Sequence, residues 1–90
     1  MKNTPKSVKM MILQNCYFCK QALKMMDQLV IEHPEYKQVK IEVIEERQTP
    51  EKTKGYDYWY VPTFFVEDKK IHEGVPTVEK VEKVFIEALS

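Results

Sequence analysis

Neither sign of charge is in excess in this chain. Fourteen Lys and Arg residues balance fourteen Asp and Glu, for a formal net charge of +0 at pH 7. Without a basic surplus, nothing calls for nucleic acid or an anionic membrane as partner. Long apolar runs are missing too. The longest is Met10–Leu13, far short of the roughly 20 residues that span a bilayer. The N-terminal MKNTPKSVK is basic, but the run after it is too brief for a signal-peptide core, so the expected compartment is the cytoplasm. Cysteine is scarce. Cys16 and Cys19 are the only two, both in one CxxC. None is left for a structural disulfide of the kind that staples small secreted domains. No repeat, low-complexity tract or linker interrupts the chain.

What is present is an ordinary globular composition, 43% hydrophobic and 31% charged, well away from the disordered regime. The 90 residues hold one domain, residues 1–90, with a modest core. A chain of this size buries only about 60–65% of its unfolded surface. Lys and Glu alternate along the surface positions rather than forming blocks, as on a solvated face.

The pattern resolves into short contiguous elements. SVKMMIL (Ser7–Leu13) is brief and apolar enough for a strand buried on both faces. QNC turns. From Tyr17 to Glu32 apolar residues recur at Ala22, Leu23, Met26, Leu29 and Val30, which is helical spacing. Pro34 ends that helix by disfavouring the helical conformation at His33. KQVKIEVIEE alternates, with Val39, Ile41 and Val43 on one side and Lys40 and Glu42 on the other, and reads as a half-exposed edge strand. Thr49 and Pro50 open a short helix. VPTFFVE and KIHE form a hairpin from Thr63 to Glu73, and Thr77 caps a last helix carrying Val78, Val81, Val84, Phe85, Ala88 and Leu89. The order is β-α-β-α-β-β-α. A helix crossing over between the first two strands makes them parallel, and the hairpin adds antiparallel ones. The expected fold is α/β: a mixed four-stranded sheet with about three helices.

Cys16 and Cys19 fall where the first strand ends and the helix begins. The first helical turn has unpaired backbone N–H groups and a partial positive charge, both of which stabilise a thiolate. Cys16 sits at the mouth of the turn. Cys19, three positions on, lies on the same face about one turn deeper. That spacing allows a small disulfide ring, with Cys16 as attacking thiol and Cys19 as protected resolving thiol. The same spacing also suits other uses of the pair. Two cysteines can be buried small hydrophobes. A zinc site needs about four ligands, and this motif supplies two. His33 lies at the far end of the helix, about 20 Å away at about 1.5 Å per residue, and cannot complete a site. His72, at a strand end, is not excluded on that ground but reads as a half-exposed side chain. Lys20 stands where a covalent haem motif has histidine.

Strand, CxxC, helix, Val-Pro-Thr, hairpin and final helix together resemble the thioredoxin superfamily, from about Val8 to Leu89. The size is that of a glutaredoxin. The resemblance implies a cis bond at Val61–Pro62, with Pro62 facing the cysteines and the Val61 backbone pairing with an extended substrate. It implies thiol–disulfide exchange with a disulfide substrate, no bound cofactor or metal, and electrons supplied by a flavin-dependent reductase or by glutathione. Tyr17 and Phe18, between the cysteines, and Trp59, in YDYWYVPT, are candidate contacts for a partner. The chain is expected to act as a monomer. Three features differ from better-known members. The intervening pair is Tyr-Phe. The strand leading to the motif carries no acid. HEGVPTVEK has one glycine where glutathione-using members have two followed by an acid. Two other classes stay open at this point: a binding module that keeps the fold, and an iron–sulfur or metal carrier bridging two chains through Cys16.

Overall fold

The computed structural model describes residues 4–90. Residues 1–3 belong to the expected 1–90 domain and to the basic N-terminal stretch, and lie outside the described residues. Four strands form one sheet in the order β2-β1-β3-β4: β1 (Val8–Ile12), β2 (Ile41–Glu45), β3 (Thr63–Val66) and β4 (Lys69–Glu73). β1 and β2 are parallel, joined through helix α1 (Tyr17–Glu32), as the crossover rule requires. β3 runs antiparallel to β1 and to β4. Helix α2 (Val78–Leu89) closes the chain. This is the mixed four-stranded sheet expected from the sequence.

The helix count differs. Among the described residues there are two α-helices and two short 3-10 turns, Pro34–Gln38 and Pro50–Thr53. The segment opened by Thr49 and Pro50 stays at four residues, and the Thr49 side chain makes no cap hydrogen bond. So short a stretch has little apolar face to bury, and helical stability comes mostly from such packing.

Both α-helices lie on one face of the sheet. There Val8, Met10, Phe64 and Val66 meet Ala22 and Leu29 of α1 and Val81, Val84, Phe85 and Ala88 of α2. Fully burying a phenylalanine such as Phe64 contributes about 1.5–3 kcal/mol over leaving it exposed. The opposite face carries a smaller cluster, Met11, Ile44 and Phe65, covered by Tyr56, Tyr58 and Val61 from the segment between β2 and β3. β1 is therefore buried on both faces, as its apolar run indicated. β2 is an edge strand, but its pattern is not the simple alternation read from the sequence. Val39 is buried before the strand begins, Val43 is exposed, and Ile44 is buried against the loop-covered face. His72 is also buried rather than half-exposed. It sits opposite Phe64, and its Nε2 lies 3.0 Å from the Gly74 carbonyl oxygen. Burial lowers its pKa from the ordinary histidine value.

Of the two caps the sequence indicated, Thr49 and Thr77, the one at Thr77 forms. The Thr77 hydroxyl accepts the Lys80 amide at 3.2 Å. At α1 the capping atom is the sulfur of Cys16. α1 stops at Glu32, and Pro34 begins the following turn. No helix among the described residues is long and apolar enough to cross a membrane.

Candidate active site

The loop between β1 and α1 is four residues, Leu13 to Cys16, and it is pinned to the neighbouring strand. The Gln14 amide donates to Glu45 Oε2 at 2.5 Å, and the other oxygen of Glu45 takes the amides of Arg47 at 2.7 Å and Gln48 at 3.0 Å. Those donors hold the Glu45 carboxyl below the usual range, that of Gln14 foremost. Asn15 has φ 65°, a left-handed conformation that asparagine tolerates better than most residues. The turn delivers Cys16 in extended conformation, φ −87° and ψ 116°, as the N-cap of α1.

Cys16 is half-buried and Cys19 is buried; both are free thiols. The Cys19 amide donates to Cys16 Sγ at 3.1 Å, and the Cys16 carbonyl accepts the Lys20 amide at 3.1 Å. This N–H is aimed at the sulfur from the helix N-terminus. The Cys19 thiol is pushed up to about 12. Burial is the main cause, followed by its hydrogen bond to Cys16, then the charges of Cys16 and Glu46; the Leu13 backbone pulls the other way. The two thiols of one motif thus differ: one reachable and supported by an amide, the other enclosed and reluctant to ionise.

Pro62 arrives from β3. The Val61–Pro62 peptide bond is cis, as the resemblance implied. Pro62 is buried, Val61 half-buried, and the Val61 carbonyl oxygen lies 4.0 Å from Cys16 Sγ. Cys16, Cys19, Val61 and Pro62 are therefore together. Tyr17 and Phe18 are exposed on the first turn of α1, their rings 5.4 Å apart and edge to face. Trp59 is 86% exposed and reaches the site through the chain, two residues before Val61.

Two side chains near the site escaped the sequence reading. Glu46 follows β2, accepts the Tyr58 hydroxyl at 2.9 Å and places its charge near Cys19. Glu73, at the end of β4, accepts the amides of Trp59 and Tyr60. Both depend on strand pairing, and an isolated Glu in a charged stretch gives no local signal of it. Among the described residues no three or more His, Cys, Asp or Glu side chains converge on a metal position. A cavity of about 590 Å³ opens among Lys6, Val66, Glu67, Asp68, Lys69 and Glu87, at the other end of β3 from Pro62. Its lining is half apolar and it is remote from the thiols, so geometry and chemistry locate the site.

Comparison with known proteins agrees with this layout. A family model described as a thioredoxin domain matches residues 6–86. Among solved structures, thioredoxin O2 from Arabidopsis thaliana, in its oxidized state, is similar with a TM-score of 0.56 at 17% identity. The match covers 97% of this chain and 77% of that one, and at such identity the likeness concerns the fold. No curated protein sequence matches the chain.

Proposed function

The chain belongs to the thioredoxin-domain family, and from that premise we propose that it is a dithiol thiol–disulfide oxidoreductase. The observation that carries this reading is the asymmetry of the pair: Cys16 half-exposed with an amide 3.1 Å from its sulfur, and Cys19 buried and held protonated. The Cys16 thiolate attacks one sulfur of a substrate disulfide. A Cys16–substrate disulfide forms, and the other substrate sulfur leaves as a thiolate and takes up a proton. Cys19 then loses its proton and attacks Cys16 Sγ. The Cys16–Cys19 disulfide forms and the second substrate sulfur leaves. The substrate has gained two electrons and two protons, and the pair is oxidised.

The environment of Cys19 supports this order. Its thiol is held up partly by Cys16 itself, through a hydrogen bond and through charge. Once Cys16 is bonded to a substrate sulfur it carries no charge, and that part of the opposition is gone. Burial and the charge of Glu46 remain. Cys19 is thus quiet before substrate is attached and easier to ionise afterwards. Val61 and Pro62 line the approach to the sulfur, with Tyr17, Phe18 and Trp59 around it as contacts for the substrate.

No bound cofactor takes part in this scheme; a reductase or glutathione outside the chain returns the electrons, and the protein works as a cytoplasmic monomer. The test is reduction of a protein disulfide with dithiothreitol as electron source. Wild type should accelerate it and Cys16→Ser should not. An inert wild type would leave the fold with a binding role only.

A further inference from the structure

One carboxylate holds the aromatic segment that leads into Pro62. Oε2 of Glu73 accepts the amide of Tyr60 at 2.8 Å and also that of Trp59, while Oε1 takes Lys70 Nζ at 2.8 Å. Its aim comes from an irregularity in β4. Phe64 lies opposite His72 but Phe65 lies opposite Lys70, so Ile71 has no partner across the ladder. An extra residue of this kind resets the alternation of side chains. Lys70 and Glu73, three apart, come to the same side of the sheet, where a regular strand would send them to opposite sides. That side is the one carrying Phe65 and covered by the loop between β2 and β3. Three donors, two of them backbone, keep the carboxyl ionised well below neutrality.

The segment so held displays the broadest exposed aromatic surface near the thiols: Trp59 at 86% and Tyr60 at 70% exposure. They precede Val61, whose carbonyl oxygen is 4.0 Å from Cys16 Sγ. Tyr17 and Phe18 stand next to Cys16 on the helix side. A segment whose backbone is already held loses less freedom when something docks on it. A polypeptide carrying a disulfide brings neighbouring side chains to rest on these rings. A small disulfide can rest on less of this aromatic surface. We propose that Glu73 is a positioning residue that holds the backbone of Trp59 and Tyr60 beside Cys16, and that this gives the site a preference for polypeptide disulfides over small ones. The inference rests on the oxidoreductase reading above.

Trp59 is the only tryptophan, so its fluorescence anisotropy decay reports the segment directly and needs no activity. In Glu73→Gln, a near-isosteric change, Trp59 should gain nanosecond motion while the far-ultraviolet circular dichroism stays that of wild type. Selectivity is read as kcat/KM for insulin over kcat/KM for bis(2-hydroxyethyl) disulfide. It should fall about tenfold, the size expected for loss of one well-ordered contact region, with KM for insulin carrying the change. Lys70→Met leaves Glu73 and both backbone donors in place and should move both readouts the same way by a smaller factor. Unaltered Trp59 anisotropy in both variants would overturn the positioning role. So would a loss that is equal for both substrates. Wild type inert toward both substrates would remove the oxidoreductase reading, and the preference with it. The anisotropy comparison would then still decide whether Glu73 holds the segment.

Discussion

The amide of Cys19 points at the sulfur of Cys16, 3.1 Å away, while the Cys19 thiol itself is enclosed. One residue therefore supports its partner through the backbone and waits through its side chain. Replacing Cys19 with Ser keeps the amide and removes only the waiting sulfur. In that variant mixed disulfides through Cys16 should accumulate, visible by mass or on non-reducing gels. Cys16→Ser should trap nothing, and serine is itself a good N-cap, so the helix start is kept. Equal trapping by both variants would reverse the assigned order.

Resolution should depend on pH. Cys19 is pushed up to about 12 in the free dithiol, chiefly by burial. Well below a thiol's pKa, the thiolate fraction rises about tenfold per pH unit. The lifetime of the Cys16 mixed disulfide should accordingly shorten as pH rises from 7 to 9, followed by acid quench and mass measurement. A lifetime flat across that range would show that ionisation of Cys19 does not limit the step.

Much of this site was legible in the chain because its parts are local. The two cysteines, the apolar spacing of α1 and its stop at Pro34 all lie within a short span, and each follows from backbone rules. Thr77 as cap and the parallel pairing of β1 with β2 are of the same kind. What escaped depends on distant pairing. Ile44 is buried only because Tyr56 and Tyr58 fold over the far face of the sheet. Glu46 gains its place near Cys19 because β2 ends beside the motif, and Glu73 meets Trp59 only because β4 skips a residue at Ile71. Hydropathy periodicity carries no record of a one-residue bulge.

The core is thin on one face and thick on the other, so its mutations should rank. Phe64 is fully buried among residues of both helices and β1. Phe64→Ala should cost about 3–5 kcal/mol by urea unfolding, transfer and cavity costs together. Phe65, over which only loop residues close, should cost less, because a loop relaxes into the space more easily than two packed helices. Equal losses would contradict that asymmetry.

Glu73 should also leave a signature in stability against pH. Lys70 and the amides of Trp59 and Tyr60 lower its carboxyl from 4.5 to about 2. A carboxyl depressed on folding adds stability above its unfolded pKa and loses it as pH falls through the folded one. The difference between wild type and Glu73→Gln should therefore be constant above pH 5 and shrink between about pH 4.5 and 2. The group is near the surface, so the difference is modest and weakened by salt. A gap that widens toward acid would show that the carboxylate is not the stabilising form.

Electron supply follows from the start of α2. A glutathione carboxylate needs free amides at such a helix end. Here the Lys80 amide is taken by the Thr77 hydroxyl at 3.2 Å, Pro76 has no N–H to offer, and the turn contains one glycine, Gly74, at φ +93°. The cap thus takes one of the amides at this helix start. Glutathione with its reductase should then support turnover roughly tenfold more slowly than thioredoxin reductase does, the cost of about one missing charge-assisted hydrogen bond. Parallel assays with one disulfide substrate and the two electron sources measure the ratio. Thr77→Ala frees the Lys80 amide and should narrow it. Fast glutathione-dependent turnover by wild type, with glutathione shielding Cys16 from alkylation, would mean that the tripeptide binds elsewhere on this surface and that the α2 cap does not set the electron source.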